Sequence, residues 1–141
     1  CHRYLIVRSA WVYGIGRDFV STVLNAAADP TCPWLAVPTD RFASPTSADD
    51  LTAAVEQLID HDTLGIYHIV CQGRCSRYDL AQAILKAAHM EDKLELHPIR
   101  AADAGSTPSY TVLDNLMLRL DNLPQPRPWK EALNEYINSL Q

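Results

Sequence analysis

The stretch Tyr4-Leu5-Ile6-Val7-Arg8-Ser9-Ala10-Trp11-Val12-Tyr13-Gly14-Ile15-Gly16, continuing to Asp18-Phe19-Val20, decides the fold class. Tyr4 to Arg8 is a short continuous apolar run, as expected of a strand covered on both faces. Gly14-Ile15-Gly16 reads as a turn, and Asp18 stands where a helix N-cap belongs. Phe19, Val20, Val23, Leu24 and Ala27 then recur at helical spacing until Asp29-Pro30 ends the helix.

The same alternation continues along the chain. Leu35-Ala36-Val37 predicts a short strand. Ser47-Ala48-Asp49-Asp50 has capping-box form, and Leu51, Ala54, Val55, Leu58 and Ile59 form one helical stripe after it. Gly65 opens the β-rich run Ile66 to Val70. Ser76-Arg77-Tyr78-Asp79 repeats the capping logic before Leu80, Ala83, Ile84 and Ala87. Leu94 to His97 alternates like a half-exposed strand stopped by Pro98, and the small polar residues Ala101 to Pro108 read as a loop. Val112 to Leu120 predicts a short helix. Pro128 suits a first helical position, leading into Trp129, Leu133, Tyr136, Ile137 and Leu140. Strands alternating with helices mean an α/β fold.

Composition narrows the class. The 141 residues are 48% hydrophobic, enough for a core. No run reaches the roughly 18 apolar residues of a membrane span, and no segment has the form of a secretory signal. A net charge of −5 argues against nucleic acid as a partner, since phosphate contact needs a clustered basic face. Cys1, Cys32, Cys71 and Cys75 outline neither a disulfide framework nor zinc knuckles. They are expected to be buried, inert thiols in a cytoplasmic protein. The chain opens Cys1-His2-Arg3 and its only methionines are Met90 and Met117, which points to a piece or tail of something longer.

Catalytic motifs are missing: there is no Gly-x-Ser-x-Gly, no His-Glu-x-x-His and no phosphate-cradling Gly-x-x-x-x-Gly-Lys. Gly14-Ile15-Gly16 is not a dinucleotide fingerprint, because Phe19 stands where the third glycine belongs.

The Tyr4 to Gly14 run with Asp18-Phe19-Val20 resembles the strand and turn after the catalytic helix of dTDP-4-dehydrorhamnose reductases. These belong to the extended short-chain dehydrogenase/reductase group. Asp40-Arg41-Phe42-Ala43-Ser44-Pro45-Thr46 with Asp50-Leu51 is similar to that family's Asp-Gln-x-Gly-Ser-Pro-Thr block. Gly65-Ile66-Tyr67-His68, the Ser76-x-Tyr78 helix start, Ser109-x-x-x-Leu113-Asp114 and Trp129-x-x-x-Leu133 follow in the family's order.

The resemblance, which runs from about residue 4 to 140, implies the last parallel strands of a Rossmann-like sheet plus a small mixed α/β substrate-binding lobe. It implies a reductase that passes hydride from NADPH or NADH to the 4-keto carbon of a dTDP-linked deoxysugar. The family's acid is a Tyr with a Lys four residues later. Here the residues four beyond Tyr4, Tyr13, Tyr67, Tyr78, Tyr110 and Tyr136 are Arg8, Arg17, Cys71, Gln82, Asp114 and Leu140. No catalytic residue is therefore assigned, and residues 1–141 read as the C-terminal portion of such an enzyme, lacking its cofactor-binding half and inactive alone.

The expected contacts are binding contacts. Trp11, just past the carboxyl end of the first strand, matches a family tryptophan that lies against the sugar; the alternative is a core tryptophan. Ser9 and Ala10 would line the nicotinamide side, unless they are ordinary strand-end residues. Asp18, where Asn is common, is a substrate contact or only a helix cap. Arg41, where Gln is usual, would suit a diphosphate or be a solvated arginine. Thr46 contacts ligand or merely sets a turn with Pro45. Two departures stand out. Gly105-Ser106-Thr107-Pro108 replaces an arginine-bearing run, leaving Arg41 or Arg100 to hold a diphosphate, and Arg77 replaces a family tryptophan.

Two other readings remain. One is a non-catalytic, partner-binding scaffold similar to the regulatory subunit of methionine adenosyltransferase. The other is an independent small α/β module. A homodimer is compatible with all of these.

Overall fold

The computed structural model describes residues 3–141; the expectation for Cys1 lies outside them. The opening strand is β1 (Leu5–Arg8), which pairs in parallel with β6 (Gly65–His68) in the register Leu5 with Gly65 through Arg8 with His68. Between them come β2 (Val12–Tyr13), α1 (Phe19–Ala28), β3 (Trp34–Pro38), β4 (Arg41–Ala43), β5 (Thr46–Ser47) and α2 (Ala48–Asp60). After β6 follow β7 (Cys75–Ser76), α3 (Arg77–Ala87), β8 (Glu95–Ile99), a 3₁₀ turn at Ala101–Ala104, β9 (Ser109–Thr111), α4 (Leu116–Leu120) and α5 (Trp129–Ser139).

The strands form small sheets rather than one. β2 pairs with β5 and β3 with β8, both in parallel, while β4 lies between antiparallel β7 and parallel β9. Two clusters of buried side chains hold them. Ala54 and Leu58 of α2 pack on Tyr67, Ile69 and Leu118, under β1 and β6. The larger cluster joins Val20, Val23 and Ala27 of α1 to Leu80, Ala81, Ile84 and Leu85 of α3 and to Ala132, Leu133 and Ile137 of α5. The periodic apolar residues read from the sequence are thus the core-facing ones.

The helix starts follow local chemistry. Asp18 and Ser76 each form a reciprocal capping box, with Ser21 and Asp79 respectively. Ser47 caps α2 by accepting the Asp50 N–H, but the Asp50 carboxylate takes the Ser47 hydroxyl and Arg127 instead of completing the box. Pro128 is the N-cap of α5, and Trp129 is its first residue.

Four expectations need correction. β1 is not covered on both faces: Leu5 and Val7 turn inward, whereas Ile6 is 45% exposed and Ile66 on β6 is 40% exposed. Pro98 does not stop β8, which runs on to Ile99 with Pro98 opposite Val37. In this two-stranded sheet β8 has a free edge, where the missing N–H costs no ladder bond. The helix expected from Val112 begins only at Leu116, because Asn115 is spent elsewhere. Its side chain, 3% exposed, accepts the Val70 N–H at 2.9 Å and donates to the Val70 carbonyl at 2.8 Å. The thiols also divide: Cys71 and Cys75 are buried, but Cys32 is only half-buried.

Asn115→Ala leaves both Val70 backbone groups buried and unpaired, and is expected to cost about 2–4 kcal/mol in chemical denaturation. Burial pushes the Cys71 thiol up from 9.0 to about 11 and the Cys75 thiol to about 12. An unfolded chain therefore releases these protons first, and stability falls as pH rises from about 9 toward 11. Unfolding midpoints measured across that range should fall less steeply in the Cys71→Ala, Cys75→Ala double variant.

Candidate functional site

The carboxyl end of β1 leads directly into a cavity of about 240 Å³ lined by Trp11, Val12, Tyr13, Arg17, Asp18, Phe19, Val20, Arg77 and Leu80. Ligands of open α/β folds bind at such strand ends. The backbone turns sharply here: Trp11 has φ 42°, a left-handed conformation that a bulky residue adopts only when its surroundings impose it. The imposing contacts come from β5. The Thr46 N–H donates to the Trp11 carbonyl at 3.3 Å, and Val12 lies opposite Thr46 in the ladder.

Trp11 is half-buried and stacks with Arg77, whose guanidinium carbon lies 3.8 Å from the centre of the indole and 4.6 Å from that of the Phe19 ring. Burial lowers the Arg77 pKa from the usual arginine range to about 10, and the positive charge of Arg41 adds to that shift. Arg77 nevertheless stays charged at neutral pH. Arg41, half-buried on β4, donates to the hydroxyls of Ser109 at 3.4 Å and Ser106 at 3.3 Å. Arg100 is exposed beside the 3₁₀ turn.

Asp18 lies on the cavity wall, but both its oxygens are engaged by backbone. One accepts the Ser21 N–H at 2.8 Å and the other the Gly14 N–H at 3.0 Å. Thr46 is 0% exposed and outside the cavity lining; its hydroxyl donates to the Ser44 carbonyl and accepts the Cys71 N–H. Its direct effect is to hold Trp11. Ser9 and Ala10 are half-buried at the end of β1, and the Ser9 Oγ is buried with no hydrogen-bond partner among the described residues. A buried hydroxyl without a partner is costly unless something completes it. The Tyr13 hydroxyl is likewise buried and unpartnered, and burial holds it protonated well above the usual tyrosine range.

The structure therefore brings Trp11 and Asp18 to one cavity, leaves Arg41 outside its lining on the Ser106 and Ser109 hydroxyls, and leaves Thr46 behind the Trp11 backbone. Arg77 and Phe19 complete the wall and were not singled out as site residues from the sequence. Arg77 stood out only as a cation where the resemblance puts an indole. Both groups are planar and stack, which was the available signal.

The whole chain, residues 1–141, matches the family model described as the RmlD substrate binding domain. The chain belongs to this family. It is 37% identical over 134 residues to the spore coat polysaccharide biosynthesis protein SpsK of Bacillus subtilis, covering 94% of this chain and 46% of SpsK. Among solved structures, a dTDP-4-dehydrorhamnose reductase from Clostridium acetobutylicum is 38% identical with a TM-score of 0.91, covering 98% of this chain and 49% of that one. A Bacillus anthracis dTDP-4-dehydrorhamnose reductase in complex with NADP superposes with a TM-score of 0.90 at 30% identity, covering 99% and 49%. The RmlD-family chain thus spans about half the length of the relatives it matches. The expected α/β architecture, related to extended short-chain dehydrogenase folds, agrees with these structures.

Asp18→Ala removes an acceptor from both α1 and the Gly14 turn and is expected to cost about 1–2 kcal/mol in thermal or chemical unfolding. Asp18→Asn keeps one oxygen for the Ser21 N–H and should lose clearly less.

Proposed function

We propose that residues 1–141 are the C-terminal, substrate-binding portion of a reductase that converts the 4-keto group of dTDP-4-dehydro-L-rhamnose to an alcohol with NADPH or NADH. The observation that carries this reading is the cavity at the end of β1, where an aromatic face, Trp11, lies against the Arg77 guanidinium with Arg17 on the same wall. An indole suits the apolar face of a deoxysugar, and guanidinium groups suit a diphosphate. The exposed face of β1 and β6, with Ile6 and Ile66, supports the further reading that helices cover it in the complete protein.

In this reading the chain's own residues bind and orient. Trp11 receives the sugar and its left-handed backbone aims the indole. Thr46 acts through that backbone, and Asp18 holds the Gly14 turn that closes the cavity. Arg41 attracts the anionic part of the substrate. The Ser9 hydroxyl and the Ala10 backbone fit the nicotinamide side, because Ser9 has hydrogen-bonding capacity that the described residues do not use. The dinucleotide supplies the hydride. No tyrosine here has a lysine four residues on, so the proton donor belongs to another part of the protein and the 141 residues alone are inactive.

The test is NADPH oxidation by the full-length protein with a dTDP-4-keto-6-deoxysugar. Turnover is expected, and Trp11→Ala should lower kcat/KM roughly 10- to 100-fold through lost apolar contact. The isolated 141 residues should show none. A full-length protein that binds partners but never oxidises NADPH would replace the enzyme reading with the scaffold reading. Unchanged kinetic constants in Trp11→Ala would remove that residue from the site.

A further inference from the structure

A second cavity, of about 700 Å³, lies between α3 and α5 and shares no residue with the one at the end of β1. Its volume is that of a small-molecule site. Ala83, Ala87, Leu133 and the Trp129 ring give it an apolar lining. Asp79, Gln82 and Lys86 stand about one turn apart on α3, and Lys130, Asn134 and Asn138 do so on α5, so each helix turns one polar row toward the opening.

Trp129 is the unusual member of this lining. It is 5% exposed, yet its indole N–H donates to no described residue and is not sealed from solvent. A buried indole N–H normally finds a partner. Gly73 keeps that edge open, since a Cβ there would stand 3.2 Å from the ring nitrogen. The chain places a cation beside each of these residues. Arg74 follows Gly73, and Lys130 follows Trp129 with its ammonium 5.6 Å from the indole centre. Lys86 adds a third cation to the lining. Among the described residues neither lysine has an ion pair, and Arg74 meets only the hydroxyl and ring of Tyr110. The carboxylate on the lining, Asp79, caps α3 through the Ser76 N–H and balances one of the three cations. Glu135 lies outside the lining and pairs with Arg127. In a protein of net charge −5, positive charge is thus left in excess around an open indole donor.

We propose that the cavity between α3 and α5 is a binding site for a small organic anion. Its phosphate or carboxylate group accepts the Trp129 N–H and sits between Arg74 and Lys130, while its apolar body covers Leu133, Ala83 and Ala87. Charge-assisted hydrogen bonds of this kind are strong beside an apolar wall, where water competes less. The apolar body and the anionic group are both required, because the lining offers a surface for each. This site does not depend on the nucleotide-sugar reading, although α3 serves both cavities: Arg77 and Leu80 face the first, Gln82 and Lys86 the second.

Calorimetry on the full-length protein with 1-naphthyl phosphate, 1-naphthoate, 1-naphthol and inorganic phosphate tests it. At least one naphthyl anion should bind, with 1-naphthol and inorganic phosphate each about 10-fold weaker or more; the tighter of the two anions tells phosphate from carboxylate. Lys130→Gln and Arg74→Gln should each weaken that anion about 10-fold. Lys93→Gln, an exposed lysine outside the lining, and Trp11→Ala should leave it unchanged. Trp129→Phe removes the N–H and should weaken binding as well; if that variant fails to fold, the two exposed positions Lys130 and Arg74 decide. A protein that binds neither naphthyl anion overturns the proposal, as does binding that ignores both Lys130→Gln and Arg74→Gln. An equal loss in Lys93→Gln reduces the effect to general charge attraction and overturns it too. Naphthol or inorganic phosphate bound as tightly as the naphthyl anions removes the need for one half of the site. Displacement of the probe by dTDP, or its loss in Trp11→Ala, places it in the cavity at β1 and refutes the second site while leaving the nucleotide-sugar reading intact.

Discussion

The Thr46 residue ties together segments that are distant in sequence. Its N–H holds the Trp11 carbonyl, its hydroxyl donates to Ser44, and the same oxygen accepts the Cys71 N–H. None of these bonds is exposed to water, so each is made by the protein or lost at a cost. Through them the end of β1, the start of α2 and the chain leaving β6 share one anchor. The next residue, Ser47, caps α2. Beyond Cys71, Gln72 bonds the backbone of Arg127 and Trp129 and so places the start of α5.

Gly73 extends the same chain of constraints. Its φ of 96° and the close approach of the Trp129 ring, 2.8 Å from where a Cβ would stand, leave room only for glycine. Its carbonyl accepts the Ser44 hydroxyl, returning the path to the β4–β5 turn. Arg127 bonds Asp50 and Glu135, so α2 and α5 are joined by charge as well as by packing. The two apolar clusters are thus linked by a polar seam, and the cavity with Trp11 sits at the end of that seam. This explains why a tryptophan keeps a left-handed backbone there: releasing it would break buried bonds in several elements at once.

The legible parts of the sequence were those with local causes. The boxes at Asp18 and Ser76 and the stripes of α1, α2 and α3 need only residues within a turn or two of each other, and their reading agrees with the structure. The runs β1, β3 and β6 were also visible as apolar strands. β2, β4, β5, β7 and β9 are two or three residues long and have no periodicity of their own; they exist because a partner strand lies beside them. Helix α4 was read too long for the same reason, since Asn115 serves Val70, a residue 45 positions away. Among candidate site residues, Trp11 and Asp18 stood out by position and motif, whereas Arg77 acquires meaning only once Trp11 and Phe19 lie against it.

The sequence by itself determined the alternation of strands and helices, the helix caps and the family to which the chain belongs, because those depend on spacing along the backbone. Only the tertiary structure decided what the polar residues do. It turned Thr46 inward as an anchor, engaged both oxygens of Asp18 with backbone, and left Ser9 and Arg77 with hydrogen-bonding capacity that no described residue uses, beside the same strand end. The physical reason is that the role of a polar group is set by which partners remain after folding. That remainder is a property of contacts between distant residues, and no local pattern records it.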